Sequence, residues 1–234
     1  MFSGKNVIAI IPARSGSKSI KNKNIIKIKG KRMIDHSIEY AKKSKLVDEI
    51  VVTSDSKKYL NLIKRFRLKY SILRKKKLSG DLVVDYPVIK DALKKSEQFF
   101  KKKFHYIILL RPTSPFREKG LIEKSLRLLS KNIKATSVRA MIKTKSHPFR
   151  HWEYKKNKTF VTSIISKIYE PYNIPRQKLP IFFFQTGDIE TIRRSTLFDG
   201  SVSGKKVLPI FLKSFSDIDD RNDLKKIKKL YASN

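Results

Sequence analysis

The stretch Val7-Ile8-Ala9-Ile10-Ile11, which stops at Pro12, decides the fold class. Five consecutive apolar residues, four of them β-branched, are typical of a strand that is buried on both faces. Strands of this kind lie inside parallel sheets that are covered by helices. The rest of the chain should therefore supply helices that alternate with further strands.

Downstream of this strand, the sequence does alternate in this way. Apolar residues recur at helical spacing, for example at Ile34, Ile38 and Ala41. The predicted helices are Met33–Lys43, Lys57–Phe66, Asp85–Phe100, Leu121–Leu129 and Arg221–Tyr231. The further predicted strands are Ile25–Ile28, Glu49–Thr53, Tyr70–Leu73, Tyr106–Leu110, Ala135–Met141, Ile181–Phe184, Ile189–Ile192 and Val207–Phe211. This order predicts one α/β domain over residues 1–234, with a mostly parallel sheet and helices on both faces.

In sheets of this type, ligands bind beyond the carboxyl ends of the strands. The loops that follow Ile11, Thr53 and Leu110 are therefore expected to line one cleft. Residues 147–180, called the excursion below, break the alternation because they combine prolines with aromatic residues and show no helical periodicity. We expect the excursion to leave the sheet and to form a lid or a contact with a second subunit.

The composition restricts the classes of function. Among 234 residues, 55 Lys and Arg oppose 20 Asp and Glu, which gives a formal net charge of +35. Such a charge attracts polyanions, but the lysines are spread along the chain without a nucleic-acid-binding motif, so we expect a solvated basic surface and no specific nucleic acid. There is no Cys, which excludes disulfides and a cysteine nucleophile. Apolar runs too short for a bilayer and no evident signal peptide predict a soluble cytoplasmic protein without a membrane partner.

A loop rich in Gly, Ser, Arg and Lys follows the first strand, from Pro12 to Asn24. Small residues let backbone amides approach an anion, and the cations neutralise its charge, so this composition suits a polyphosphate. The spacing matches neither the P-loop nor the Gly-x-Gly-x-x-Gly pattern. A plain solvated loop is the alternative interpretation.

A rigid turn, Arg111–Arg117, follows the buried strand that ends at Leu110. Its two prolines restrict the backbone, and its hydroxyls and cations stand at the strand end. This pattern favours a binding turn, although a simple connection from a strand to a helix would contain the same residue types.

Near the end of the chain, Ser216–Asp220 concentrates three of the scarce acidic residues. Asp217 and Asp219 point to the same side of an extended segment because side chains alternate with period two. Two carboxylates on one side suit Mg²⁺. Capping of the last helix by Asp219 or Asp220 is the alternative.

Taken together, these segments resemble the acylneuraminate cytidylyltransferases, which make CMP-activated sialic acid and related nine-carbon sugar acids. The opening loop is similar to that family's Pro-Ala-Arg-x-Gly-Ser-Lys…Lys-Asn signature, and Arg111–Arg117 to its Pro-Thr-Ser-Pro-Leu-Arg turn. Pro175–Pro180 is similar to its Arg-Gln-x-Leu-Pro element, and Gly204–Val207 and Asp217–Asp219 follow in the family's order. The resemblance covers nearly the whole chain and implies a three-layer, Rossmann-like nucleotidyltransferase fold and a homodimer.

The resemblance also implies residue roles. Arg14 and Lys23 would hold and polarise the triphosphate of CTP. Asp217 and Asp219 would bind Mg²⁺ and complete the catalytic set. The implied nucleotide-binding residues are Ala13, Arg14, Ser15, Ser17, Lys23, Asn24 and Asp81. The implied sugar-binding residues are Arg111, Arg150, Arg176 and Gln185.

The implied reaction transfers CMP from CTP to the anomeric hydroxyl of a nonulosonic acid of the sialic, legionaminic or pseudaminic type and releases pyrophosphate. Arg111 stands where sialate-activating members usually carry Gln, which favours an acceptor other than sialic acid. Asp188 is a further departure, and we expect it to reach the substituents of the sugar. A nucleotidyltransferase for another sugar or nucleotide is the main alternative, and a basic nucleic-acid-binding protein is the remote one.

Overall fold

The computed structural model describes residues 2–156 and 158–232. Its strands are β1 (Val7–Pro12), β2 (Lys27–Ile28), β3 (Lys31–Arg32), β4 (Glu49–Ser54), β5 (Tyr70–Leu73), β6 (Tyr106–Leu109), β7 (Ser137–Lys143), β8 (Trp152–Glu153), β9 (Thr162–Ser163), β10 (Phe183–Arg193) and β11 (Val207–Phe211). Its helices are α1 (Met33–Lys42), α2 (Lys57–Ile63), α3 (Asp85–Phe100), α4 (Leu121–Lys131), α5 (Arg194–Phe198) and α6 (Arg221–Ala232). In the part of the chain so described, no helix has both the length and the apolar character that a membrane crossing requires.

Seven of the strands form one sheet in the order β11-β7-β10-β6-β1-β4-β5. Within this sheet, β10 runs antiparallel to both of its neighbours, and every other pair of adjacent strands is parallel. The predicted α/β fold with a mostly parallel sheet is confirmed.

The side chains of β1 alternate between two hydrophobic cores. Val7, Ala9 and Ile11 pack in one core with residues of α1, α2 and α4. Ile8 and Ile10 pack in the other core with residues of α3 and α5. All five side chains are fully buried, and each isoleucine contributes about 1.5–3 kcal/mol of hydrophobic stabilisation. Helices therefore cover both faces of the sheet, as the sequence predicts.

Strand β10 differs from the prediction. The sequence predicts two strands, Ile181–Phe184 and Ile189–Ile192, whereas the structure has one strand whose register with β7 shifts between Gln185 and Glu190. The polar residues between the two apolar runs suggest a turn, but the structure continues as one strand that is paired with β7 on both sides of this irregularity. The short helix α5, which follows β10 directly, is not predicted either.

A third, smaller core holds α6 against the loop that follows β1. Ile227 of α6 is buried together with Ile20 of that loop, Ile28 of β2 and Ile218. Because α6 docks here, the acidic segment in front of it is held beside the loop after β1, although the two are nearly 200 residues apart along the chain.

The excursion lies outside the seven-stranded sheet. It contains the hairpin of β8 and β9, which pair with each other, and several single turns of 3₁₀ helix. Trp152 packs on Tyr172 with their ring centroids 4.4 Å apart. Tyr154, Phe160 and Tyr169 are exposed to solvent. Its function as a lid or a subunit contact stays a prediction.

Candidate functional site

A cavity of about 480 Å³ lies at the carboxyl ends of β1, β5 and β6, and we call it the strand-end cleft. The loop after β1 contributes Arg14 and Lys23, the segment after β5 contributes Arg74, and the turn after β6 contributes Arg111. Parallel strands thus bring loops that are distant in sequence to one edge, as expected.

The expectation that the loop after β4 also lines this cleft is wrong. Asp55 of that loop accepts hydrogen bonds from the backbone N of Ser15 (2.8 Å) and from its Oγ (2.9 Å). The carboxylate is therefore used to support the loop after β1. The segment after β5, in which the resemblance had indicated only Asp81, lines the cleft instead.

Five of the seven predicted nucleotide-binding residues line the strand-end cleft. They are Arg14, Ser17, Lys23, Asn24 and Asp81. Ala13 and Ser15 support the loop, since the amide of Ala13 donates to the carbonyl of Thr53 at 2.9 Å and the amide of Ser15 donates to Asp55. Their contact with a nucleotide stays a prediction.

Arg14 is held from two sides. Its carbonyl accepts a hydrogen bond from Asn24 Nδ2 at 2.9 Å, and its Nη1 lies 2.9 Å from Asp81 Oδ1. The other oxygen of Asp81 lies 2.9 Å from Lys18 Nζ. The hydrogen bond from Lys18, together with the charges of Lys18 and Arg14, lowers the pKa of Asp81 below its ordinary value. Asp81 therefore stays ionised and spans two cations at the cleft.

Lys23 connects the loop after β1 to the acidic segment before α6. Its Nζ lies 3.3 Å from Asp219 Oδ1 and 3.3 Å from the carbonyl oxygen of Asp219. The Lys23 side chain is largely buried, at 12% exposure, whereas the Asp219 side chain is 79% exposed. The predicted cations and one predicted metal ligand therefore meet in space.

The sequence left open whether Asp219 or Asp220 caps the last helix, and in the structure Asp220 does so. Its Oδ1 accepts hydrogen bonds from the backbone amides of Asn222 (2.7 Å) and Asp223 (2.9 Å) in the first turn of α6. These bonds lower the pKa of Asp220. Because Asp220 caps the helix, Asp219 is left to pair with Lys23.

Asp217 is fixed by two donors. Ser114 Oγ donates to its Oδ1, and the backbone N of Gly187 donates to its Oδ2 at 2.7 Å. A Cβ at position 187 would lie 2.6 Å from Ser114 Oγ and 2.9 Å from Asp217 Oδ1, so only glycine fits here without displacing the carboxylate. Asp217 thus connects two elements through hydrogen bonds, since Ser114 belongs to the turn after β6 and Gly187 belongs to β10.

A buried charged layer lies next to Asp217. Asp188 is 1% exposed, and its Oδ2 has no hydrogen-bond partner among the described residues. Burial raises the pKa of Asp188 to about 6, and the nearby charge of Asp217 contributes. The expectation that Asp188 reaches the sugar is therefore wrong, because it is shielded from the surface.

Arg117 has a structural role. Its Nε donates to the carbonyl of Asp188 and its Nη2 to the carbonyl of Arg111, both at 2.5 Å. Burial lowers the pKa of Arg117 to about 10. This side chain therefore braces the turn after β6 against β10 and is not presented to a ligand.

The four predicted sugar-binding residues do not lie in one cavity. Arg111 lines the strand-end cleft, whereas Arg150 and Arg176 line a second cavity of about 420 Å³ beside the excursion, which we call the excursion cleft. Gln185 lies on β10, exposed, and accepts a hydrogen bond from Arg139 Nη1. The structure therefore brings Arg150 and Arg176 together but separates them from Arg111.

The excursion cleft is strongly basic. Lys143, Lys145, Arg150 and Arg176 line it, and none of them lies within 4 Å of a carboxylate oxygen in the described parts of the chain. His147 lies at its wall, with Nε2 2.8 Å from the carbonyl oxygen of Pro180. Four cations without acidic partners form a site for an anion.

Sequence reasoning missed three residues of the strand-end cleft and its wall. Arg74 lines the cleft at the end of β5, donates from Nε to Ser79 Oγ at 2.9 Å, and has a pKa that burial lowers. Asp85 and Glu190 both contact Arg111. The position of Arg74 and Asp85, at a strand end and a helix start, is the signal that could have identified them.

Comparisons with known proteins show the family and the fold of the chain. A family model described as Cytidylyltransferase matches residues 8–193. The chain is 30% identical to "Post-translational flagellin modification protein B" of Campylobacter coli, over 94% of this chain and 92% of that protein. It is 38% identical to "CMP-N,N′-diacetyllegionaminic acid synthase" of Campylobacter jejuni, over 47% of this chain and 46% of that protein. A CMP:2-keto-3-deoxy-manno-octonic acid synthetase structure complexed with CTP shares the fold, with a TM-score of 0.71 at 17% identity over 97% of this chain and 99% of that chain.

Proposed function

The chain belongs to the cytidylyltransferase family, and on that premise we propose that it transfers CMP from CTP to the anomeric hydroxyl of a nine-carbon 2-keto sugar acid. The acceptor is of the sialic, legionaminic or pseudaminic type, in keeping with the relative named as a CMP-diacetyllegionaminic acid synthase. We place the reaction in the cytoplasm, where CTP is available.

One observation carries the proposal. Lys23, from the loop after β1, lies 3.3 Å from Asp219, from the segment before α6, next to a cleft that Arg14 also lines. Two cations suited to a triphosphate and one carboxylate suited to a divalent metal are thus close together, and this supports the proposal. A binding module that only holds an anion has no use for the carboxylate.

The residues support the reaction through charge. The anomeric oxygen of the acceptor attacks the α-phosphorus of CTP, and the bond from that phosphorus to the bridging oxygen of the β-phosphate breaks. Arg14 and Lys23 neutralise the negative charge that grows on the leaving pyrophosphate. Asn24 fixes the backbone of Arg14, so this cation is positioned before the nucleotide arrives.

Mg²⁺ fits the residues at this site. Hard carboxylate oxygens suit it, and Mg²⁺ is typically held by one or two carboxylates together with substrate phosphates. Asp217 and Asp219 supply two, and in the described residues no larger cluster of His, Cys, Asp and Glu could hold a metal ion without the substrate. When bound, the ion would neutralise phosphate charge as a Lewis acid.

The excursion cleft is the proposed site for the carboxylate of the acceptor. Arg150 and Arg176 lack acidic partners in the described residues, so a carboxylate displaces only water from them. A charge-assisted bond to each guanidinium fits the carboxylate fork. Arg111 and Gln185 then contact other parts of the acceptor.

We also propose a homodimer. Large apolar side chains are exposed on the excursion and at the neighbouring end of the sheet: Tyr154, Phe160, Ile164, Tyr169, Phe183, Phe184, Phe211 and Phe215. At the end of the sheet, Phe183 packs on Phe211 and Phe184 on Phe215, and exposed apolar clusters of this kind are typical of a subunit interface. In sedimentation velocity, Phe184→Asp should convert a dimer to monomers. Ile133→Asp, at an 83% exposed residue before β7, should leave it unchanged, and a monomeric wild type contradicts the proposal.

The reaction is tested with each of the four ribonucleoside triphosphates, Mg²⁺ and a panel of nonulosonic acids. We expect pyrophosphate release that needs CTP and one of the acids, with a CMP-sugar identified by mass spectrometry. Release with another triphosphate or with a different sugar supports the alternative nucleotidyltransferase. No release with any pair refutes the proposed activity.

A further inference from the structure

Four charged side chains form a cluster at the wall of the strand-end cleft, in which Arg111 and Arg139 are partly buried and Asp85 is 42% exposed. Glu190 is fully buried, and its Oε2 accepts hydrogen bonds from Arg139 Nη2 (2.9 Å) and Arg111 Nη2 (3.3 Å). Its Oε1 accepts a hydrogen bond from Ser203 Oγ at 2.7 Å. Arg111 Nη2 also lies 2.5 Å from Asp85 Oδ2.

The sheet register creates this cluster. Glu190 of β10 is directly opposite Leu109 of β6 on one side and Arg139 of β7 on the other. Arg111 follows Leu109 by two residues, so its side chain emerges on the same face. Asp85 begins α3, which packs on that face. Strand pairing therefore places Glu190 opposite Arg139, and the turn that follows β6 brings Arg111 to the same carboxylate.

The charges of the cluster cancel. Asp85 and Glu190 supply two negative charges, and Arg111 and Arg139 supply two positive charges. Burial alone would lower the pKa of Arg111, but the two carboxylates outweigh it and raise that pKa above its ordinary value. A ligand anion brought to Arg111 would meet Asp85 and Glu190 as well, in contrast to the unpaired cations of the excursion cleft.

We propose that Glu190 is a positioning residue that fixes Arg111 and neutralises its charge, so that Arg111 offers hydrogen-bond donors to an uncharged group of the acceptor, such as an amide carbonyl or a hydroxyl. Both bonds from Arg111 to the carboxylates come from Nη2, which leaves Nε and Nη1 for that group. The contact between Arg111 and the acceptor rests on the proposed function. The positioning of Arg111 by Glu190 does not depend on it.

The positioning is tested without a substrate. In ¹⁵N-labelled protein, the Nη2–H signals of Arg111, which donates from this atom to Asp85 and Glu190, are assigned with Arg111→Gln and should exchange slowly with solvent. Glu190→Gln, which keeps the size of the side chain, should speed that exchange at least about tenfold, since a charged acceptor is lost. The matched control is Glu97→Gln, which removes a carboxylate paired with Arg194 outside both clefts and should change only the signal of Arg194. Unchanged exchange at Arg111 in Glu190→Gln overturns the proposal.

The role toward the acceptor is tested by kinetics with the acid that the panel identifies. Glu190→Gln should raise the acceptor KM about tenfold and leave the CTP KM within about twofold, the effect expected for one well-oriented hydrogen bond. In an Arg111→Gln background, Glu190→Gln should add nothing, because it acts through Arg111. An equal further loss in that background shows a merely structural role and overturns the proposal. If wild type turns over no acid, the acceptor role fails together with the proposed function, while the exchange experiment still decides the positioning.

Discussion

The two clefts use positive charge in opposite ways. In the strand-end cleft, Arg14 and Lys18 share Asp81, Lys23 pairs with Asp219, and Arg111 pairs with Asp85 and Glu190. In the excursion cleft, none of the four cations has a carboxylate partner in the described residues. With the exception of Arg74, which donates to Ser79, the cations of the strand-end cleft are thus paired and fixed, whereas those of the excursion cleft give an unbalanced positive field.

This difference suits two kinds of ligand. Carboxylates beside the cations disfavour a bare anion, but they favour an anion that arrives with a divalent metal, as a nucleoside triphosphate does. Unpaired cations favour a bare carboxylate. The contrast supports the assignment of the nucleotide to the strand-end cleft and of the carboxylate of the sugar acid to the excursion cleft, and the following predictions test it.

The largest effect is expected at Asp217. Asp217→Asn keeps the size of the side chain and one oxygen that accepts from Gly187, but it removes the charge that a metal-bound triphosphate requires. We expect kcat to fall about 10²–10³-fold, the usual loss for a key electrostatic group. Pyrophosphate release measured against Mg²⁺ concentration checks this.

A control separates loss of charge from loss of fold. Asp199→Asn changes an exposed aspartate after α5 and should keep full activity. Circular dichroism should show both variants folded. Activity of Asp217→Asn close to wild type at saturating Mg²⁺ would end the metal role and weaken the contrast between the clefts.

The sequence predicts the fold more completely than it predicts how the site residues are distributed between the two clefts. The five consecutive apolar residues of β1 suffice to predict a strand with helices on both faces. A strand that is buried on both faces does not alternate between polar and apolar residues. In contrast, Arg150 and Arg111 share a predicted role yet line different cavities. That separation depends on how far β7 and β10 extend past the end of β6, which no local pattern encodes.

The prediction that Lys23 and Asp219 act at one site came from the family resemblance alone. The two residues are 196 positions apart, and their meeting depends on the docking of α6 through Ile227. Glu190 was missed for a different reason. A glutamate inside a strand suggests an exposed position, and its burial becomes understandable only when the register places Arg139 opposite it.

The next effect concerns stability and pH. Asp188 has a pKa of about 6 in the folded protein, against about 3.9 when unfolded, so the folded state holds the proton longer. Wild type should therefore lose about 2–3 kcal/mol of stability from this group as pH rises from about 4 to above 6. Asp188→Asn should lack that loss, because it cannot ionise.

Urea unfolding in EDTA, at pH 4 and at pH 7, measures this difference. The stability advantage of Asp188→Asn over wild type should grow with pH, whereas Asp199→Asn, at an exposed site, should show no such growth. An advantage that is constant with pH would mean that Asp188 ionises normally.

A smaller effect is expected in the excursion cleft. Arg176→Ala should raise the KM of the sugar acid about 10- to 30-fold, the value of one charged hydrogen bond, and leave the CTP KM within about twofold. The matched control is Lys178→Ala, which removes a cation from the same turn of 3₁₀ helix outside the cleft lining. Equal changes in both KM values would reassign Arg176 to the nucleotide.

The smallest effect is expected for Lys18, and it tests how far the pairing in the strand-end cleft matters. Its side chain is 83% exposed, so its pair with Asp81 is screened by solvent. Lys18→Ala leaves Asp81 paired with Arg14, and the CTP KM should rise less than about threefold, with a still smaller change at high salt. A rise above about tenfold that persists at high salt would make Lys18 a direct triphosphate ligand. Asp81 would then be a competitor that the nucleotide displaces, and the strand-end cleft would resemble the excursion cleft once its ligand is bound.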